Sequence, residues 1–494
     1  MTYSGLIAFI VGIISVFTGL VFVLIVTRRL SPEEFGTWAL IGSMISYFLI
    51  SEGIIHFWTI RQVARGEQVG STSLVSSGIF SLAAIPFYLL ISYFISDRSN
   101  LELEPMILAT ILIPLFFISK ILNSINAAHR PQATSYGFLI FEISKIPAAL
   151  ALVYFLGFGL TGAIMAVALA YCIRIATQLY FAKPKLNNKI NFSYLIRWIK
   201  LSWLSLYSLM PKFIASLDVL IYTLIVGSVI GVAYYGVSLV IANLVLHSQK
   251  ISLGLYPKLL AKGDYSYIKE NFSLLLYFAI PLLGIAIVFS KPALFTLNPV
   301  YLEASVIVII LSFKVFFMAL SEILRQVLLG IEKVDINQNA KFSQLLKSKL
   351  FYTSTIWTVK SIIYVSLLVP IFWILNDMGT SEIEITTYWA WILLTVEIPF
   401  FVYFLFLVKR NIQLSFPYSN VAKYIGATIA FMIVYFFTSE HIITYHESIF
   451  DFLPLLISQL FICVGIYLTI TYTVDSKTRK LFKLVIKEIS GKIL

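Results

Sequence analysis

About fourteen apolar runs, each near 20 residues long, fix what this chain of 494 residues can fold into. They lie near 5–26, 36–58, 73–96, 105–125, 136–156, 159–181, 203–226, 233–256, 272–295, 304–325, 352–375, 387–408, 422–440 and 451–474, numbered here as spans 1–14. A helix of about 20 residues crosses a bilayer core of roughly 30 Å, whereas the strands of a membrane barrel are runs of about ten residues that alternate strictly. The pattern predicts an all-α polytopic membrane protein with about 14 transmembrane helices. Only 12% of the residues are charged and 59% are hydrophobic, which excludes an ordinary soluble domain. Thirteen short connections leave no room for a soluble catalytic domain. The first run lacks a basic leader and a small-residue cleavage site, so it is read as a span rather than a signal peptide.

Lysine and arginine placement orients the chain. With the N-terminus inside, the inner connections and the tail hold 26 of the 36 basic residues and seven acids. The outer connections hold four bases (Arg28, Arg29, Arg98 and Lys291) and twelve acids. Both termini are expected in the cytoplasm, in a multi-pass protein of the cytoplasmic membrane. The formal charge of +12 is then mostly a topology signal, so no nucleic-acid partner is expected. One missed or extra span would scramble this asymmetry.

Shifting the sequence by 200 positions lays Leu24-Ile25-Val26 on Leu224-Ile225-Val226 and Phe35-Gly36 on Tyr235-Gly236. Six spans separate the copies, an even number, so both face the same way. Parallel repeats of this kind are a transporter architecture. The expected organisation is an N-lobe over 1–182 (spans 1–6), a cytoplasmic amphipathic linker over 183–202, and a C-lobe over 203–410 (spans 7–12). Accessory spans 13–14 over 411–474 and a basic tail over 475–494 follow. Segment 192–203 reads as an amphipathic helix lying in the membrane interface.

The segment Arg28-Arg29-Leu30-Ser31-Pro32-Glu33-Glu34-Phe35-Gly36 resembles the Arg-x-Leu-(Gly/Ser)-Pro-x-x-(Tyr/Phe)-Gly signature of polysaccharide-biosynthesis flippases. Asp218 through Tyr235-Gly236 is similar to their second-lobe pattern. These are the O-antigen-type lipid-linked oligosaccharide flippases of the multidrug/oligosaccharidyl-lipid/polysaccharide exporter superfamily. The resemblance covers the whole chain in span count and lobe plan and rests on few specific residues. It implies a rocking transporter that carries polyprenyl (pyro)phosphate-linked glycans across the cytoplasmic membrane.

With the charges toward span ends assigned to the connections, eleven ionisable side chains are left to the spans: Glu52, Lys120, Glu142, Lys145, Arg174, Lys212, Asp218, Lys314, Glu322, Lys360 and Glu397. Each costs about 2.5–3.5 kcal/mol at a helix centre on insertion scales, so such residues must pair or face a wet cavity. Glu142 with Lys145, and Glu322 with Arg325, have the spacing of a local ion pair. Lys120 and Arg174 lie near inner ends, where they are expected to snorkel, and Glu52 has His56 one turn on. Lys212 shares a face with Ser205, Ser208 and Ser216; Lys314 shares one with Ser321 and Arg325; Lys360 shares one with Trp357 and Tyr364. The three lysines are candidate phosphate ligands, with Asp218 and Glu397 as the alternative neutralising partners. Arg28 and Arg29 are candidates too, because their repeat counterparts Ser228 and Val229 are uncharged; the alternative is interfacial pairing with Glu33 and Glu34. Asp218, Glu397 and Glu52 are the candidate coupling acids.

Neither a phosphate-binding Gly-x-x-x-x-Gly-Lys loop nor a metal-ligand spacing is present, so no enzyme activity, metal or cofactor is expected. Coupling to H+ or Na+ is left open. The expected function is a flippase for a lipid-linked oligosaccharide, working as a monomer in the bilayer, with glycosyltransferases of its pathway as candidate partners. Two alternatives are a cation-coupled multidrug exporter, which favours acids in its cavity, and a membrane glycan polymerase or glycosyltransferase, which needs exposed catalytic acids on a long loop.

Overall fold

The computed structural model describes residues 3–254, 266–330, 348–412, 417–446, 448–480 and 482–483, and their regular structure is all helix. Among the described residues thirteen helices are long and apolar enough to cross a membrane: Pro32–Ala64, Gly70–Ser99, Leu103–His129, Pro131–Phe155, Gly159–Lys185, Leu206–Val226, Ile230–Gln249, Ile268–Val288, Pro299–Gly330, Phe351–Asp377, Glu382–Asn411, Tyr418–Ile442 and Ile449–Val474. Helix Tyr3–Arg29 precedes them with 27 residues, about 40 Å at 1.5 Å per residue, and occupies the first apolar run. The chain is a multi-pass membrane protein whose helices fall on the fourteen runs.

Local chemistry sets the helix ends. Ser31 and Glu34 form a reciprocal cap on span 2: Ser31 Oγ accepts from Glu34 N at 3.1 Å, and Glu34 Oε2 accepts from Ser31 N at 2.9 Å. Pro32 occupies the first turn, where a missing N–H costs nothing. Span 12 carries Glu382 and Glu384 in its first turn and Lys409 and Arg410 in its last, matching the helix dipole. Prolines interrupt other spans. Pro147 is followed by a π-helical turn over Leu150–Phe155, where the ladder reopens after the lost N–H. In span 7, helices Trp203–Ser216 and Asp218–Val226 are separated by Leu217 alone, whose backbone stays in the right-handed helical region, downstream of Pro211.

By packing, the chain divides into two units, 1–234 with 357–385 and 235–356 with 386–494. This grouping follows contacts, whereas the lobes expected above follow the repeat. In the first unit, small residues let helices approach: span 3 buries Ser73, Ser76, Ser77 and Ser81, and Ser77 Oγ donates to the Phe117 carbonyl at 3.2 Å. Span 6 buries Ala163, Ala166 and Ala170 along one face. The opposite face of span 3 leaves Leu82, Phe87 and Phe94 exposed, as a lipid-facing surface requires. In the second unit, Phe272, Leu311, Val315, Phe431 and Cys463 are fully buried.

The aromatic-Gly pair has a steric reason. A Cβ on Gly36 would lie 2.1 Å from the Val229 carbonyl oxygen, so only glycine permits this approach of span 2 to the backbone before span 8. The expected amphipathic linker helix is Phe192–Leu201, capped by Asn191, whose Oδ1 accepts from Ser193 N at 3.0 Å. Trp198 is fully buried and its indole N–H donates to Gln62 Oε1 at 3.0 Å, while Ile196 and Ile199 on the other side are exposed. One face of the helix is docked on span 2 and the other is left for lipid.

Candidate functional site

Span 11 is bound along the length of span 7. Ser361 Oγ donates to the Pro211 carbonyl at 2.8 Å, Tyr364 Oη donates to Asp218 Oδ2 at 2.8 Å, and Asn376 Nδ2 donates to the Ile225 carbonyl at 3.2 Å. Between them the Tyr222 and Phe372 rings meet edge-on with centroids 5.2 Å apart. Both residue series rise together, so the two helices run parallel. Four steps in the span count, an even number, demand the same.

Two of the three candidate lysines flank this seam. Lys212 follows Pro211, whose carbonyl accepts the Ser361 hydroxyl, and Lys360 precedes Ser361. Pro211 and Ser361 are buried, whereas Lys212 is exposed and Lys360 half-buried. The Lys360 ammonium lies 4.6 Å from the Trp357 ring centroid, a cation–π contact that uses the helix face expected from the spacing. The Pro211 carbonyl, accepting the Ser361 hydroxyl, holds the two helices together beside the cations. Ser208 is exposed on the face of Lys212, and the side chain of Ser205 lies outside the described residues.

Asp218 sits at the junction in span 7 and is buried. Its Oδ1 accepts from Val219 N at 2.8 Å and its Oδ2 takes the Tyr364 hydroxyl. Tyr47 on span 2 donates its hydroxyl to the Ser216 carbonyl at 2.7 Å, tying the same junction from a third helix. A carboxylate, two tyrosines and a carbonyl make a polar cluster inside an apolar bundle.

Lys314 and Glu397 belong to the second unit. Lys314 is half-buried with Nζ 3.5 Å from Met318 Sδ. Glu397 is buried and accepts from Ser321 Oγ at 3.2 Å. Nearby on span 10, Arg325 grips Glu322 through two nitrogens at 2.7 and 2.8 Å, the expected i,i+3 pair.

In the first unit most buried charge is neutralised. Lys145 Nζ is 2.8 Å from Glu142 Oε2, which also accepts from Thr18 Oγ1 at 2.7 Å. Lys120 does not snorkel: its ammonium is 3.0 Å from Glu52 and donates to the Leu49 carbonyl. Glu52 therefore pairs with Lys120 rather than His56, whose Nδ1 is 2.5 Å from Ser124 Oγ. Helical spacing favoured the local partner, and packing of span 4 on span 2 supplied a stronger one. Arg174 lies against Phe138, Phe141 and Tyr171, each ring centroid under 6 Å from its guanidinium carbon.

At the C-terminal end of span 1, Arg29 is exposed and lies 3.9 Å from the Tyr154 ring centroid, and Arg28 is half-buried. Glu34, one of their expected partners, is engaged elsewhere, by Ser31 N and by Leu160 N at 3.1 Å. The Ser-Pro-Glu-Glu cap was open to sequence reading through its Ser-x-x-Glu spacing. Tyr154, Tyr47 and Ser361 carried no such signal. Among the described residues no group of three or more His, Cys, Asp or Glu side chains is arranged to hold a metal ion.

No protein-family model and no curated protein sequence matches the chain. Solved structures share its fold. The lipid II flippase MurJ in an inward closed conformation superposes with a TM-score of 0.69 at 15% identity, covering 97% of this chain and 100% of that one. An inward-facing MATE-family multidrug resistance transporter of the MOP superfamily gives 0.58 at 12% identity, covering 80% and 95%. The MATE multidrug transporter DinF-BH gives 0.56 at 15% identity, covering 82% and 94%. At these identities the likeness is one of fold alone.

Proposed function

We propose that this chain is a flippase that moves a polyprenyl (pyro)phosphate-linked oligosaccharide across the cytoplasmic membrane by alternating access between two six-span lobes. The observation that carries the reading is the pair of lysines flanking the Ser361–Pro211 hydrogen bond. Two ammonium groups on adjacent helices suit a phosphate as point charges, and the carboxylate on the same seam, Asp218, is held by the Tyr364 hydroxyl and the Val219 N–H. Hydrogen bonds to a charged partner contribute roughly 1.5–3 kcal/mol each, enough to select a pyrophosphate over a neutral lipid.

In this mechanism Lys212 and Lys360 take the phosphate while the glycan stays in water and the lipid tail stays in the bilayer. Lys314 is a further cation, and Arg28 and Arg29 meet the phosphate at the outer side. The junction at Leu217 gives span 7 a hinge, with Asp218, Tyr364 and Tyr47 as its latch. Asp218, Glu397 and Glu52 are the groups available for coupling to H+ or Na+. The fold match to a lipid II flippase over nearly the whole of both chains supports the reading. A multidrug exporter for hydrophobic cations is the less favoured reading, because exposed Lys212 and half-buried Lys360 repel such cargo.

The proposal is tested by binding. Purified protein should retain a polyprenyl-pyrophosphate oligosaccharide and lose at least ten-fold in affinity when the pyrophosphate is removed. Equal retention of the dephosphorylated lipid, or preference for a hydrophobic cation, would overturn it.

A further inference from the structure

A basic cavity of about 350 Å³ lies in the second unit among the ends of spans 9, 13 and 14. Lys269, Lys477 and Lys480 line it, together with Glu270 and, deeper, Ser273 and Tyr277. All three lysines are exposed, and among the described residues none of them is in an ion pair. Asp475 also lines the cavity but is already satisfied. Its Oδ2 accepts from Thr478 N (3.1 Å), Thr478 Oγ1 (2.9 Å) and Tyr424 Oη (3.4 Å), and Lys423 stands 4.0 Å from Oδ1. With Lys423 offsetting Asp475, three lysines face Glu270 alone, so the cavity is left cationic.

From Lys269 to Tyr277 the cavity descends eight residues of span 9, about 12 Å at 1.5 Å per residue. The interfacial layer on one side of a bilayer is only about 5–8 Å deep, so the floor reaches the hydrocarbon boundary. Ser273 and Tyr277 place hydroxyls at that depth, the first accepting from Asn420 Nδ2 at 3.2 Å and the second 3.5 Å from Thr471 Oγ1, and Leu274 adds an apolar side chain to the lining. Cations at the rim, hydroxyls below and an apolar side chain alongside repeat the order of phosphate, glycerol and acyl chain in a phospholipid. The same three helix ends face the cytoplasm in the orientation set by the basic residues. Basic pockets between helices on that side of a membrane suit anionic head groups.

We propose that this cavity is a binding site for the phosphate head group of an anionic membrane lipid, separate from the transported cargo. It anchors spans 9 and 14 to the inner leaflet through Lys269, Lys477 and Lys480, with Ser273 and Tyr277 toward the glycerol. The site does not depend on the identity of the cargo.

The test uses purified full-length protein and its thermal unfolding midpoint, which a native-state ligand raises by mass action. Phosphatidylglycerol, phosphatidylcholine and inorganic phosphate are added separately to the wild type and to the Lys269→Gln/Lys477→Gln/Lys480→Gln variant. A Lys409→Gln/Arg410→Gln variant removes inner-side charge away from the cavity. Phosphatidylglycerol should stabilise the wild type and the Lys409/Arg410 variant equally, and the triple variant should need at least ten-fold more of it. Equal response of the triple variant, or equal stabilisation by phosphatidylcholine, would overturn the proposal. Stabilisation by inorganic phosphate equal to that by phosphatidylglycerol would reassign the cavity to a soluble phosphate and overturn the lipid reading.

Discussion

Glu34 on span 2 caps the N-terminus of span 6 by accepting the backbone N–H of Leu160 at 3.1 Å. The later half of the chain carries an equivalent cap with acid and acceptor helix exchanged. There Glu382, at the start of span 12, accepts from Gly231 N at 3.0 Å and from Ser228 Oγ at 2.9 Å, at the start of span 8. In each case a carboxylate at one helix N-terminus also satisfies the orphan donors of a second, so two helix ends are joined by one side chain.

Replacing Glu34 with Ala therefore removes a capping box and an interhelical bond together. The expected cost is about 1–3 kcal/mol, read as a lower unfolding midpoint in detergent. Glu33→Ala, at an exposed neighbour in the same turn, should stay within about 0.5 kcal/mol of wild type. Equal midpoints for the two variants would show that the Leu160 contact contributes nothing.

Gly36 and Gly42 lie on the same helix in opposite circumstances. A Cβ at Gly36 would stand 2.1 Å from the Val229 oxygen, and one at Gly42 meets nothing within 4 Å. Gly36→Ala should force span 2 away from Val229 and reduce folded yield, whereas Gly42→Ala should leave it unchanged or raise it, since alanine favours the helix by about 1 kcal/mol. Folded yield by size-exclusion profile decides between them.

The Glu52–Lys120 pair predicts a rescue. Lys120→Met leaves a fully buried carboxylate without its cation. The loss should fall below the roughly 3–5 kcal/mol of a fully buried pair, because the Lys120 side chain is 37% exposed. Adding Glu52→Gln removes the stranded charge, so the double variant should be more stable than Lys120→Met alone. Additive losses in this cycle would mean that the two side chains are not coupled.

Much of the architecture was legible because hydrophobicity along a spanning helix is set by the bilayer rather than by neighbours. The fourteen runs, the i,i+3 pairs at Glu142–Lys145 and Glu322–Arg325, and the Lys360–Trp357 face all follow from one-dimensional spacing. Partners on other helices do not. Lys120 finds Glu52, Arg29 finds Tyr154 and Asp218 finds Tyr364 across 68 to 146 positions of chain, and no periodicity reports such distances. The position of the junction in span 7 was likewise hidden: Pro211 announced a bend, and the junction falls at Leu217, where Asp218 can be received by Tyr364 and Tyr47 can reach Ser216.

The central claim is that Lys212 and Lys360 hold the phosphate of a lipid-linked glycan during transfer, and translocation in reconstituted vesicles tests it most directly. A polyprenyl-pyrophosphate oligosaccharide labelled on its glycan is loaded in one leaflet, and its appearance in the other is followed by access of an impermeant glycan-cleaving enzyme. Lys212→Ala and Lys360→Ala should each lower the initial rate at least ten-fold at unchanged protein content, with Lys409→Ala transferring at the wild-type rate. Wild-type rates in the Lys212→Ala/Lys360→Ala double variant would contradict the account.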